Sequence, residues 1–557
     1  MCGIWALIKS NIQLDSSYIE SFSKIKNRGP DTSMIIHYSS LIAGFHRLAI
    51  NDTSIMGNQP FVKSTETSNY ILMANGEIYN HKILETEYNI KPKSTSDCDF
   101  LLDLFIELKE DFVEFNKKLR GEYAICIFKL DHMTNNIKFW ASTDPLSVRP
   151  LFCFVDTSKQ FNPIIGFSSL LVGLSELSNN VQRLNQGHYM VGSTDFSTYF
   201  DYSIEKYIEW SIYSMSDFDS KLIKQTYLIN LQKQIVDCLI DAIKIRLKSD
   251  RPLGCLLSGG LDSSLVAAIA AKELAKTGQI LHTFSIGMTD GTDNKYARIV
   301  ADYIGSKHTE FIFDEIQGIA HIDDVILATE TFDITTIRAS VGQYILAKRI
   351  AETTDIKVLL NGDGADECQM GYLYWYSAPD IKSAYEERNK LLDQIHLYDG
   401  LRVDRNISYH GLEARVPFLD KNFVNLYRQI DPELLMPTST HMEKYLIRSA
   451  FDEIYPNLLP SEVLWRKKEA FSDGVSAKSK SWYQILGTHF DNLLGSYDEK
   501  MAEVYTHIKP HTSESMYYMN KFTELFGQNH QVIPKYWMPN WSNTTDPSAR
   551  TLDIYEK

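Results

Sequence analysis

The hydrophobic pattern changes period partway along the chain, so no single layer type can bury all of it. From Cys2 to about Phe200, short apolar runs of strand length appear at Gly3–Ile8, Leu41–Ile50, Tyr70–Ala74, Tyr123–Leu130 and Ile137–Ser142, separated by Gly, Pro, Asn and Asp clusters. Helical periodicity in this half falls mainly at Cys98–Lys109, which predicts a sheet-rich α+β domain. From about Tyr227, long amphipathic stretches such as Tyr227–Lys248 alternate with the short apolar runs Leu253–Leu257, Leu281–Ile286 and Lys357–Leu360. That alternation predicts a parallel α/β sheet. The two textures divide the chain into residues 1–205 and 206–557, with the crossing in the acidic, aromatic stretch Tyr199–Lys221, near Ser220.

A chain of 557 residues is too long for one hydrophobic core, which supports at least two domains. With 44% hydrophobic and 23% charged residues, it has the composition of globular rather than disordered proteins. The net charge of -15 argues against a nucleic-acid surface, because neutralising phosphates needs clustered Lys and Arg. A mononucleotide is not excluded, since backbone N–H groups, a few basic side chains and Mg2+ can hold one whatever the global charge.

No basic-then-apolar leader is evident, and no uncharged apolar run reaches the ~18 residues of a membrane span. The expectation is a cytoplasmic protein with no membrane association. The seven cysteines (Cys2, Cys98, Cys126, Cys153, Cys238, Cys255 and Cys368) are scattered without a CxxC pair, so neither a disulfide framework nor a zinc site is expected.

Cys2 stands apart from the other six. It follows the initiator Met1, and its small side chain favours removal of that residue. Processing would leave a cysteine whose thiol and free α-amine, of pKa near ~7.7, form a nucleophile and its base in one residue. Three polar clusters follow, Arg28-Gly29-Pro30-Asp31, Asn75-Gly76-Glu77-Ile78-Tyr79-Asn80 and Ser96-Asp97. Each alone reads as a surface turn. In the order MCGI, RGPD, FHRLAI, NGEIYN and SDCD, however, they resemble the glutaminase domain of the N-terminal-nucleophile (class II) amidotransferases. The resemblance implies an Ntn-type sandwich of antiparallel sheets. It also implies that Cys2 attacks the glutamine carboxamide, that Asn75 and the Gly76 N–H stabilise the oxyanion, and that Arg47, Glu77 and Asp97 hold the α-carboxylate and α-amino group. The residue types suit those tasks, a guanidinium fork for a carboxylate and carboxylates for an ammonium.

In the second half, Leu253-Gly254-Cys255-Leu256-Leu257-Ser258-Gly259-Gly260-Leu261-Asp262-Ser263-Ser264 leads into apolar LVAAIAA and reads as strand, glycine turn and helix. Glycines allow close backbone approach to an oxyanion, and the helix start supplies N–H donors. No GxxxxGK[ST] is present, so this is not a Walker loop. SGGLDSS resembles the pyrophosphate loop of ATP-pyrophosphatase domains, which adenylate a substrate. By that likeness ATP would be held by Leu256, Ser258, Gly259, Gly260, Asp262 and Ser263, with Ile286 against the adenine. Asn361 and Gly362 complete the set, and Asp262 would also bind Mg2+.

A third cluster, Asn361-Gly362-Asp363-Gly364-Ala365-Asp366-Glu367, follows an apolar run. Carboxylates at a strand end of an open α/β sheet favour a metal or acid–base role. Glu330–Ser340 (ETFDITTIRAS), Gly411–Asp420 (GLEARVPFLD), Trp465–Gly474 (WRKKEAFSDG) and the closing Tyr536-Trp537-Met538-Pro539 and Asp546–Arg550 segments resemble the animal-type asparagine synthetases over nearly the whole chain. The resemblance implies glutamine-dependent synthesis of asparagine through β-aspartyl-AMP. Asp366 would ligate Mg2+, Asp363 would be the base toward ammonia, Lys468 would stabilise phosphate charge, and Arg338 would recognise aspartate or phosphate. It also implies glutamine, aspartate and ATP as small-molecule partners, a shielded passage for ammonia, and room for a homodimer.

One departure bears on the substrate. The family usually reads SGEGSDE where this chain reads NGDGADE, so Asp363 is shorter than the usual Glu by about one C–C bond, and geometry matters in proton transfer. This admits a related amidotransferase or cyclase adenylating another carboxylic acid. A homologue whose sites no longer act has only this segment in its favour, against intact Cys2, Asn75, Asp262, Asp366 and Lys468.

Overall fold

The computed structural model describes residues 1–134, 136–158, 162–213, 221–289, 291–468, 481–495, 497–544, 546–548 and 551–552. Ser220, the 469–474 part of WRKKEAFSDG and residues 549–550 of the tail motif lie outside the described residues. The chain forms two compact units. The first comprises Met1–Glu209, Ser408–Glu413 and Lys521–Pro534, and the second Trp210–Ile407, Ala414–Asn520 and Lys535–Lys557. Two later segments, Ser408–Glu413 and Lys521–Pro534, thus pack with the N-terminal part of the chain. Hydrogen bonds fasten one of them: the Asn529 side chain accepts from the Val181 N–H at 3.0 Å and donates to the Ser178 carbonyl at 3.1 Å.

The first unit holds two six-stranded sheets. In one, strand Gly3–Ile8 lies between Leu41–Arg47 and Ile164–Ser168 and pairs antiparallel with both. In the other, Ser68–Ile78 pairs with Gly121–Asp131, which pairs in turn with Ile137–Thr143, again antiparallel. Side chains alternate faces along a strand, and the sequence exploits this. Ile71, Met73, Cys126 and Phe128 point into a core shared with Ile4, Ala6, Ile8 and Phe45 of the other sheet. Their neighbours Leu72, Ala74, Ile125 and Ile127 pack on the opposite face with Phe100, Leu104, Phe105 and Phe115, from the helices Leu101–Glu107 and Phe112–Lys118. The result is the expected sandwich with a helical layer outside it.

In the second unit, Lys307–Ile312, His282–Gly287, Leu253–Leu256 and Val358–Leu360 are successive parallel neighbours in a five-stranded sheet. Helix Leu261–Ala275 follows the central strand and is buried on all sides from Leu265 to Ala270, which explains why LVAAIA there is apolar on every face. The edge strands Thr32–Tyr38 and Lys307–Ile312 are half-exposed. Their mixed polar composition hid them from a search for apolar runs. Among the described residues no helix is long and apolar enough to cross a membrane, and all seven cysteines are free thiols.

Helix Lys221–Ile245 is tied down just beyond its end by Arg246, whose guanidinium donates to Asp420 at 2.8 Å. Both side chains are only 1% exposed. Asp420 also caps helix Lys421–Arg428 by accepting from the Asn422 N–H at 3.0 Å. Replacing one member of a buried ion pair leaves the other charge dehydrated and uncompensated. Asp420→Ala is therefore expected to lower unfolding free energy by about 3–5 kcal/mol, measured by denaturant titration of the full chain.

Candidate active sites

In the first unit Cys2 opens the central strand of its sheet, so its backbone is fixed by the ladder that starts at Gly3. The Cys2 N–H donates to Asn75 Oδ1 at 2.8 Å, and Sγ accepts from the Leu48 N–H at 3.4 Å. Burial pushes the thiol up from its usual range, against the opposing pull of the adjacent α-ammonium and the Leu48 amide. The Met1 α-ammonium is itself buried, 4.0 Å from Glu413, and burial lowers its pKa to about 6.

Asn75 is fully buried. Its Oδ1 holds Cys2, whereas its Nδ2 finds no acceptor among the described residues. A buried amide donor without a partner is costly in a folded protein unless something else accepts from it. Next to it, Gly76 has φ +144°, and a Cβ there would lie 1.9 Å from the Glu122 carbonyl. Only glycine lets this strand keep both its pairing and its turn toward Cys2.

Glu77 and Asp97 are also brought together. Asn51 Nδ2 donates to Glu77 Oε2 and reaches Asp97 Oδ1 at 3.4 Å, while Asp97 Oδ2 accepts from the Ile78 N–H at 2.6 Å. Burial raises the Asp97 pKa, with the Ile78 amide opposing. Asn51 is thus a site residue that the motifs did not disclose, although it lies directly after FHRLAI. Arg47 is engaged by its own loop. It donates to Ser54 O at 2.6 Å, to Asn58 Oδ1 at 2.7 Å and to the carbonyls of Asn51 and Asp52.

The second unit contains a cavity of about 250 Å³ at the carboxyl ends of the parallel strands, where open α/β sheets bind ligands. Leu256, Ser258, Gly260, Asp262 and Ser263 line it from the glycine turn, Ile286 from the end of the next strand, and Asn361, Gly362, Asp363 and Asp366 from the turn after Val358–Leu360. Gly259 shapes that turn from behind. Its φ is +74°, and a Cβ would lie 2.4 Å from the Ala297 backbone nitrogen.

Two carboxylates expected to hold a cation share one ammonium: Lys444 Nζ lies 2.5 Å from Asp262 Oδ2 and 2.6 Å from Asp366 Oδ1. Lys468 Nζ donates to Asp366 Oδ2 at 2.6 Å. Burial alone would raise the Asp366 pKa, but the two lysines outweigh it and hold the carboxyl well below its usual range. Asp262 Oδ1 is buried and accepts no hydrogen bond among the described residues, which fits a carboxylate with a vacant coordination position. No cluster of three or more Asp, Glu, His or Cys able to hold a metal occurs among the described residues. A divalent ion here would therefore take its remaining ligands from substrate phosphate and water, the usual habit of Mg2+.

A second set of charges also lines the cavity. Asp363 pairs with Arg402, which also reaches Asp399 at 2.7 Å, and the Tyr372 hydroxyl donates to Glu367 at 2.5 Å and to Asp399 at 3.0 Å. Burial raises the Asp363 pKa, opposed by Arg402 and reinforced by Asp399. Burial and Asp399 together push Glu367 well up. Lys444, Arg402, Asp399 and Tyr372 carried no motif signal, because each comes from a segment whose local pattern is that of an ordinary helix or turn.

Arg338 lines the cavity too, but its donors are occupied. Nε and Nη2 donate to Glu514 at 2.8 and 2.6 Å, and Nη1 donates to Asp546 at 2.8 Å. In this arrangement the guanidinium fork grips the protein's own carboxylates.

Comparison with known proteins agrees with this division. A family model described as a glutamine amidotransferase domain matches residues 1–204, and one described as asparagine synthase matches residues 234–395 and 385–549. The chain is 38% identical to the glutamine-hydrolysing asparagine synthetase of Cricetulus griseus and to that of Rattus norvegicus, and 37% identical to that of Homo sapiens. In each case the match covers 100% of this chain and 99% of the relative.

Gly259→Ala places a side chain on strained backbone and against the helix Thr292–Ile304. ATP affinity is expected to fall at least ~10-fold, with glutamine hydrolysis unchanged. Isothermal titration with a non-hydrolysable ATP analogue and a separate glutaminase assay check both halves.

Proposed function

The chain belongs to the glutamine-hydrolysing asparagine synthetase family, and on that premise we propose how its own residues divide the work. The reaction consumes ATP, L-aspartate and L-glutamine and yields AMP, pyrophosphate, L-asparagine and L-glutamate, so the protein is a ligase. Residues 1–205 form the glutaminase domain and residues 206–557 the synthetase domain.

With Met1 removed, the Cys2 α-amine takes the thiol proton and the sulfur attacks the glutamine carboxamide carbon. The tetrahedral oxyanion is stabilised by Asn75 Nδ2 and the Gly76 N–H. The α-ammonium returns its proton to the leaving nitrogen as the intermediate collapses, which expels ammonia and leaves a γ-glutamyl thioester that water hydrolyses to glutamate. Glu77 and Asp97 take the substrate's α-ammonium. Arg47 takes its α-carboxylate by exchanging carbonyl partners in its loop.

In the synthetase domain the aspartate β-carboxylate attacks the α-phosphorus of ATP, and pyrophosphate leaves. The glycine turn Ser258–Ser263 supplies amide and hydroxyl donors to the phosphates, Ile286 packs on the adenine, and Lys468 neutralises charge as the pyrophosphate separates. Asp262 and Asp366 would hold Mg2+, which supplies charge neutralisation to the phosphates when bound. Ammonia then attacks the β-carbonyl of β-aspartyl-AMP, Asp363 accepts the proton, and AMP departs. The observation that carries this reading is the pair Asp262 and Asp366, clamped by two lysines at the mouth of the parallel sheet. A cytoplasmic location and a homodimer complete the proposal, and sedimentation of the purified chain tests the second.

The primary test is formation of asparagine, AMP and pyrophosphate from aspartate, ATP and glutamine. AMP release with another acid but not with aspartate would reject the substrate. Cys2→Ala is expected to abolish glutamine-dependent synthesis while ammonium salts still support it. Equal loss of both would contradict two independent sites. Asp363→Asn should preserve aspartate-dependent ATP–pyrophosphate exchange yet lower asparagine formation by roughly 10²–10⁴-fold, the usual range for losing a general base. Parallel loss of exchange would move Asp363 out of the ammonia step.

A further inference from the structure

The last described part of the chain forms one side of the synthetase cavity, with Trp537, Pro539, Pro547, Ser548 and Leu552 among its lining residues. Three attachments hold the segment there. The Trp537 N–H donates to Asp333 Oδ1 at 2.7 Å. The Trp541 ring lies 5.6 Å from Trp375 and 6.1 Å from Tyr374. Asp546 accepts from Arg338 at 2.8 Å, and it also accepts from the Ser548 N–H at 2.9 Å, so the same carboxylate that hooks the segment sets its local turn.

The anchor is rigid on the other side. Arg338 is 7% exposed and Glu514 2% exposed, and their two parallel contacts fix the plane of the guanidinium. Bidentate pairing of this kind gives direction as well as attraction. The segment borders the acceptor end of the cavity. The Trp537 ring lies 5.7 Å from that of Tyr372, tilted by 58°, and the Tyr372 hydroxyl rests on Glu367 and Asp399, while Asp399 shares Arg402 with Asp363.

We infer that residues 537–544 and 546–548 are the acceptor-side wall of the cavity, that Arg338 and Asp546 are the positioning residues that seat it, and that this wall limits the length of the carboxylic acid that is adenylated. This rests on the synthetase reading above. A wall held by backbone and ring contacts at one end and by an ion pair at the other loses its register when the ion pair is removed. A misplaced wall costs substrate orientation rather than fold.

Asp546 is the residue to change, because its side chain is 25% exposed and its loss leaves the buried Arg338–Glu514 pair intact. In Asp546→Ala the KM for aspartate is expected to rise ~10-fold, with the KM values for ATP and glutamine within about twofold of the parent and Tm within about 2 °C. AMP release with glutamate, one methylene longer, should gain on that with aspartate. Asp546→Glu, which keeps the charge, should recover part of the aspartate affinity. An unchanged aspartate KM and acid preference would overturn the inference, as would an equal rise in the KM values for ATP and aspartate. Should the parent protein release no AMP with aspartate, the synthetase reading itself falls. Seating of the wall is then decided by hydrogen exchange, where faster exchange at residues 537–544 and 546–548 in Asp546→Ala supports the anchor and unchanged exchange removes it.

Discussion

The synthetase cavity depends on one buried ammonium. Lys444 has a side chain only 2% exposed, and it ties Asp262, at the start of the glycine-turn helix, to Asp366, in the first turn of the short helix Ala365–Gln369 that follows the neighbouring strand. Two carboxylates this close would repel strongly in a partly dehydrated site. A cation between them turns that repulsion into a joint between two loops. The joint is reinforced by Lys468 on Asp366 and by Glu443, which accepts from the Lys468 N–H at 2.8 Å and from Arg448 at 3.0 Å. Lys444 itself sits at φ +62°. A non-glycine residue there stores of order 1–3 kcal/mol of strain, which persists only where surrounding contacts impose it.

In the proposed reaction the two sites use different structural devices for the same end of placing donors where negative charge develops. In the first unit the donors come from a strand interior: Asn75 and Gly76 lie within Ser68–Ile78, and their positions are set by ladder register against Gly121–Asp131. In the second unit they come from loops at strand ends, where parallel strands stop together and their turns converge. A register-fixed site is stiff, which suits covalent chemistry at Cys2. A site made of converging turns leaves space for a larger ligand, and here that space is about 250 Å³.

Much of this was legible in the residues. The strand runs Gly3–Ile8 and Ile137–Thr143 and the glycine turn after Leu253–Leu256 follow from apolar spacing and from Gly and Pro punctuation. The motifs also named Cys2, Asn75, Asp262, Asp366 and Lys468 as chemically loaded positions. The half-exposed edge strands were not legible, because an edge strand needs no continuous apolar run. Nor were Asn51, Lys444, Arg402 and Asp399, whose importance comes from what they face. For Arg338, a candidate for recognising aspartate or phosphate by its motif, the partners Glu514 and Asp546 lie far along the chain and carried no signal beside it.

The sequence by itself determined the apolar strands and the long amphipathic helices, where glycine turns fall, and which residue types could carry nucleophilic, acid–base and cation-binding chemistry. These properties are local, being fixed by side-chain volume, branching and backbone freedom within a few residues. Only the tertiary structure decided which charges meet. Pairing of Lys444 with Asp262 and Asp366, of Arg402 with Asp363, and of Arg338 with Asp546 joins segments separated by tens to hundreds of residues. Electrostatic partnership depends on distance in space and on dehydration, and neither quantity is written in the order of residues along the chain.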